Sequence, residues 1–199
     1  MKIVNIYTDG ACAGNQSEEN TGGWGCVLEF AGREKELCGG EVNTTNNRME
    51  LTALIEALSA LKEPGLSLNI FSDSSYLINC FKNRWFDSWQ KNGWKNAQKK
   101  PVENRELWER LLALLSTHEA NFYLVKGHQT LKDGGASANK AAFERFKKHN
   151  GSDFSFDRFS QIVDYNNRCD ALANVFINEH RMQHQAPDDQ STAQNAAEE

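Results

Sequence analysis

Residues 2–15 read KIVNIYTDGACAGN, an apolar run that meets an acidic, glycine-bounded stretch. Ile3, Val4, Ile6 and Tyr7 are spaced as a largely buried strand, and the run from Gly10 to Gly14 is expected to end it. Asp9 then stands at or near the end of that strand, where a sheet would hold its carboxylate in place. Asp-Gly is also a favoured turn pair, so Asp9 gains meaning only from what the remaining chain can bring to it.

Working outward, two more strands are expected over residues 24–30 (WGCVLEF) and 36–42, joined by short turns into an antiparallel meander. Residues 43–48 (NTTNNR) form a polar break rich in helix-capping types. Leu51, Leu54, Ile55, Leu58 and Leu61 then recur at helical spacing, and Pro64-Gly65 stops that helix. Leu66, Leu68, Ile70 and Phe71 read as a fourth strand, closed by SDSS at 72–75 before a short helix to about residue 81. A helix over 104–116, a strand over 121–125 and a helix over 167–179 complete the pattern. The order predicts an α/β fold: a mixed five-stranded sheet, three antiparallel strands then two parallel, flanked by helices.

A chain of 199 residues suits one well-buried domain. Its 39% hydrophobic and 25% charged residues are those expected of a soluble globular protein, and neither an apolar run able to span a bilayer nor a charged-then-apolar leader is expected. The five cysteines lack CxxC spacing and are expected to be reduced thiols in a cytoplasmic protein. A net charge of −5 argues against a basic coat for nucleic acid but leaves room for a local patch. Residues 82–105 supply one: Lys82, Arg84, Lys91, Lys95, Lys99, Lys100 and Arg105 stand against two acids, with Trp85, Trp89 and Trp94 interleaved. From residue 183 onward only polar and small residues remain, which predicts a disordered tail over 183–199.

Four acids occupy comparable places. Asp9 and Asp73 end strands, Glu50 flanks the apolar stripe of the first long helix, and Asp170 lies in the last helix. If strands one and four are neighbours, Asp9 and Asp73 converge, and a helix packed on the sheet can add Glu50. Oxygen ligands without a Cys or His cluster favour Mg²⁺ or Mn²⁺ over zinc. Two such ions about 4 Å apart can activate a water and stabilise the leaving oxygen of a phosphodiester. Each acid also has a plainer reading: Asn47-x-x-Glu50 as a capping box, Asp73 as a helix cap, Asp170 as a solvent-facing residue. His128, after a glycine, could equally be a surface histidine.

TDGACAGN, TTNNRMELTALIEAL, FSDSSYLIN, VKGH and NNRCDALA occur in the order and approximate spacing of type 1 ribonuclease H, which the chain resembles. Residues 85–108, including WKNAQKKPVENRELW, resemble the basic handle of the bacterial members. The resemblance implies the ribonuclease H-like fold and two-Mg²⁺ hydrolysis of the RNA strand of RNA–DNA hybrids with little sequence preference, by a monomer. It implies that Asp9 bridges two metals, that Asp73 ligates the metal holding the attacking water, and that Asp170 ligates the leaving-group metal. Glu50 would bind metal near a ribose 2′-hydroxyl, and His128 would assist proton transfer or product departure. Asn15, Asn46 and Asn47 would contact the hybrid, and Thr45 with Asn46 would hold a DNA-strand phosphate. Lys91, Trp94, Lys95, Lys99 and Lys100 of the handle are further substrate-binding candidates. For its tryptophans, packing between short helices is the preferred reading over base stacking, since a paired hybrid offers few free base faces.

The expected organisation is one domain over residues 1–182, with the handle at 82–105 and an insertion at 129–165. QSEENTGG at 16–23 is longer and more acidic than is usual in the family, and reads as a surface extension. The insertion is too long for an unstructured loop. It divides into a Gly/Ser-rich part and a basic helix over 140–149, followed by Phe154, Phe156 and Phe159. It could be a second clamp on the hybrid or a tolerated extension, and it could displace His128 or Asp170. Two rivals remain: a recombinase- or resolvase-type DNA nuclease of the same fold, and a non-catalytic hybrid-binding module, which would show loss of a metal carboxylate.

Overall fold

The computed structural model describes residues 2–14, 20–131 and 134–185. Five strands, β1 (Ile3–Ala13), β2 (Thr21–Phe30), β3 (Arg33–Val42), β4 (Ser67–Ser72) and β5 (Glu119–Leu124), form one sheet in the order β3-β2-β1-β4-β5. The β1/β2 and β2/β3 pairs are antiparallel, whereas β1/β4 and β4/β5 are parallel. The helices are α1 (Asn46–Ser59), α2 (Ser75–Lys82), α3 (Trp85–Lys91), α4 (Arg105–Leu115), α5 (Ala136–Asn150) and α6 (Phe156–Gln185). The mixed sheet expected from the sequence is present.

Side chains alternate across a strand, and the alternation divides two cores. Val4, Ile6, Cys26, Leu28, Leu68 and Ile70 point to the face covered by α1, with α2 to α4 beyond it. Tyr7, Val27 and Phe71 point the other way, where Phe146 of α5 and Phe159, Ile162 and Cys169 of α6 cover them. Phe159 is 1% exposed, a burial that stabilises by about 2–3 kcal/mol.

The structure corrects three sequence expectations. β1 does not end before Gly10: its ladder with β2 runs on to Ala13↔Thr21, because a glycine-rich hairpin can still pair its backbone groups. The last helix begins at Phe156, not residue 167, so the final ten residues of the 129–165 segment are its first turns. Arg158 ties that extension to β1 by donating to the Tyr7 hydroxyl at 2.6 Å. The same helix runs to Gln185, so residues 183–185 of the expected tail are helical; residues 186–199 lie outside the described residues.

β2 is read by its glycines. A Cβ on Gly25 would stand 2.4 Å from the Cys169 carbonyl oxygen, so α6 rests directly on the strand backbone. Gly25 is in register with Asp9, and this close seat carries Asp170 to the level of Asp9.

Candidate active site

The parallel β1/β4 ladder ends at Thr8↔Ser72, so Asp9 and Asp73 are each the residue that follows the last pair. Caps explain why neighbouring carboxylates are free for the site. Thr45, not Asn47, caps α1, its hydroxyl accepting from Arg48 N at 3.3 Å. Ser74, not Asp73, caps α2, accepting from Leu77 N at 3.3 Å. The helix starts are therefore satisfied without Glu50 or Asp73.

Asp9, Glu50 and Asp73 each place a carboxylate oxygen within 4.8 Å of the others. Asp170 lines the same cleft of about 480 Å³ from α6, together with His128, Asn46 and Asn47. His128 Nδ1 lies 3.5 Å from Asp170 Oδ2. The 129–165 segment thus displaces neither residue. Sequence reading had not singled out Asn174, one helical turn beyond Asp170. Its amide donates to the Asp170 carbonyl at 2.8 Å and to Oδ1 at 3.2 Å, which orients the carboxylate. The i, i+4 spacing was the available signal.

Burial pushes the Asp9 carboxyl up to about 8, with repulsion from Asp73 and Asp170 adding to it. Burial, then Asp9 and Asp73, raises Glu50 well above the usual range, and burial raises Asp73 as well. Such crowding is costly without a counter-charge. Glu50 Oε2 and Asp73 Oδ1 are buried without a hydrogen-bond partner among the described residues. An all-oxygen donor set with orphaned lone pairs fits a hard divalent cation.

The remaining candidates fall elsewhere. Asn15 and residues 16–19 lie outside the described residues. Thr45 is exposed at the start of α1, beside the Asn46 and Asn47 that line the cleft. Lys91, Lys95, Lys99 and Lys100 are exposed on the handle and do not line the cleft. Trp94 is only 9% exposed, 6.3 Å from the Trp89 ring and under the Arg105 guanidinium at 5.4 Å. Trp89 in turn packs edge-on to Trp108 at 5.4 Å, whereas Trp85 is 38% exposed. Packing of the short helices accounts for Trp89 and Trp94, and Trp94 presents little surface to a substrate.

The chain as a whole is similar to known proteins. The family model described as RNase H matches residues 1–178. A ribonuclease H of Caldanaerobacter subterraneus is 50% identical over 148 residues, covering 74% of this chain and 94% of that protein. One of Clostridium botulinum is 44% identical over 179 residues, covering 90% and 98%. LC9-RNase H1, a type 1 RNase H with the type 2 active-site motif, superposes with a TM-score of 0.58 at 27% identity over 83% of this chain and 85% of that one. LC11-RNase H1, solved in complex with an RNA/DNA hybrid, shares the fold at a TM-score of 0.51 and 17% identity, over 89% and 99%.

Proposed function

The chain belongs to the ribonuclease H family, and from that premise we propose that it hydrolyses the RNA strand of RNA–DNA hybrids with little sequence preference. The observation that carries the reading is the Asp9–Glu50–Asp73 cluster, with Asp170 and His128 in the same cleft. No position that a binding-only relative would lose is missing among these carboxylates.

Asp9, Glu50, Asp73 and Asp170 would hold two divalent cations, Mg²⁺ with Mn²⁺ as a substitute. When bound, such ions activate a water and neutralise charge on the leaving oxygen. Asp9, on a strand paired on its β2 side, keeps its carboxylate fixed between the groups from β4 and α1. Asn174 holds Asp170 in orientation. His128, exposed and beside Asp170, is placed to accept or deliver a proton at the mouth of the cleft. The Asn46 and Asn47 amides can donate to and accept from a 2′-hydroxyl, the group that distinguishes RNA from DNA. The exposed handle lysines would contact phosphates without reading sequence. Five unbridged cysteines support a reducing compartment. Among the described residues no helix is long and apolar enough to cross a membrane.

The test compares RNA–DNA hybrid, duplex RNA, duplex DNA and single-stranded RNA, each with Mg²⁺, with Mn²⁺ and with chelator. Cleavage confined to the RNA strand of the hybrid and lost in chelator is expected. Equal cleavage of duplex DNA would refute the reading.

A further inference from the structure

The catalytic cleft does not stop at Asp73. Past Asp73 and Ser75, which line both spaces, it adjoins a second cavity of about 330 Å³. Its walls are the loop after β5 and one face of α5. Ala142, Arg145, Phe146 and His149 follow the i, i+3, i+4, i+7 spacing of a single helical face, and all four line the cavity. Ala142 and Phe146 are buried in the second core and seat the helix.

The end of α5 is fastened firmly. The Asn150 side chain accepts from Leu124 N at 2.9 Å and donates to Leu124 O at 2.8 Å, taking the place of a neighbouring strand at the edge of the sheet. Lys82 Nζ donates to the His149 carbonyl at 2.9 Å and to Asn150 Oδ1 at 3.2 Å. Arg145 and His149 are thereby held opposite Lys126, which lines the cavity from the loop after β5. All three side chains are exposed, and none makes an ion pair among the described residues. Lys147 of the same helix is engaged instead, with Glu144 at 2.9 Å and the Phe143 ring at 4.6 Å.

We propose that Lys126, Arg145 and His149 form a phosphate-binding wall for the RNA strand of the hybrid, gripping its backbone next to the cleaved bond. This rests on the hybrid-cleaving reading above. A strand with one phosphate at the Asp9–Glu50–Asp73 cluster must carry its adjacent phosphates out of an acidic cleft. The Asp73 side is where the uncommitted charges of Lys126 and Arg145 stand, with the His149 ring as a further donor, over an apolar floor of Ala142, Phe146 and Phe159. A guanidinium matches a phosphate by paired hydrogen bonds, and a partly desolvated floor strengthens that attraction. The 129–165 segment is then a second grip, separate from the handle.

The experiment measures hybrid cleavage across a salt series for wild type, Arg145→Lys and the double variant Arg145→Ala/His149→Ala. The double variant is expected to raise KM by about 3–10-fold and to flatten the plot of log KM against log salt by about 1 per lost contact. Arg145→Lys is expected to retain most of the slope. A double variant with wild-type KM and slope, or with a loss confined to kcat, would overturn the proposal. If alanine lowers the melting temperature by more than a few degrees, Arg145→Gln/His149→Gln is read against the same criteria. Wild-type protein that cleaves no hybrid would overturn the hybrid-cleaving reading itself, an outcome visible before any variant is made.

Discussion

Gly10 is in backbone contact with Glu50: a methyl group on Gly10 would stand 2.4 Å from the Glu50 nitrogen and 2.6 Å from the Met49 carbonyl carbon. α1 therefore sits on β1 with no side chain between them at this point, and Glu50 reaches Asp9 for that reason. Gly10→Ala is expected to lever the helix away, costing about 1–3 kcal/mol of stability. Displacing one carboxylate should lower kcat by roughly 10²-fold. Thermal melts and steady-state hybrid cleavage check both, and a folded variant with wild-type kcat would refute the contact's role.

The crowded carboxyls make the metal-free protein sensitive to alkali. Unfolded, they titrate near 4; folded, Asp9 titrates at about 8, and Glu50 and Asp73 are shifted the same way. Between those limits the folded chain binds more protons than the unfolded one, so stability falls as pH rises from about 4 to about 8. Melting temperatures in chelator should therefore drop across this window, and added Mg²⁺ should restore more stability at its upper end than at its lower. A flat profile in chelator would show that the cluster is relieved in some other way.

Asp9→Asn removes one buried charge while keeping the shape. It is expected to abolish cleavage, to preserve hybrid binding, and to raise metal-free stability near pH 8 by roughly 1–3 kcal/mol. Urea unfolding in chelator and a gel-shift assay read the two effects separately. Equal loss of cleavage and binding would contradict the assigned role.

His128 projects from the loop after β5 with its side chain 79% exposed, in a left-handed backbone conformation at φ 49°. His128→Ala should leave the melting temperature unchanged while lowering kcat by about 10²-fold. An unchanged kcat would make the 3.5 Å approach to Asp170 incidental.

Asn150→Ala would strip Leu124 of both side-chain hydrogen bonds at the sheet's edge. A loss of about 1–3 kcal/mol is expected, with faster amide exchange at Leu124. Unchanged exchange there would mean that the α5 end is held mainly by its aromatic packing.

Much of the site could be read from residue types alone. Asp9, Glu50, Asp73 and Asp170 stand in recognisable local patterns, and strand and helix periodicity is a property of neighbours in sequence. The helical stripe of Leu51, Leu54, Ile55 and Leu58 identified α1, and the apolar runs at residues 3–7 and 66–71 identified β1 and β4 as strands. The course of β1 past Gly10 was not legible, because it depends on a partner strand that continues to Thr21. Nor was the start of α6 at Phe156: its first turns are held by Tyr7, which lies about 150 positions earlier in the chain. The caps were ambiguous for a similar reason, since Thr45, Asn47, Asp73 and Ser74 are all good cap types and only backbone geometry chooses among them.

The sequence by itself determined most of the elements, the acidic residue types of the cleft and the family resemblance, because each of these rests on local pattern. Only the tertiary structure decided that Asp9 and Asp73 end level with each other, that Gly10 and Gly25 let two helices reach the sheet backbone, and that α5 sets Arg145 beside the catalytic cleft. Those are distances between segments far apart along the chain, and they follow from packing, to which no single stretch of sequence has access.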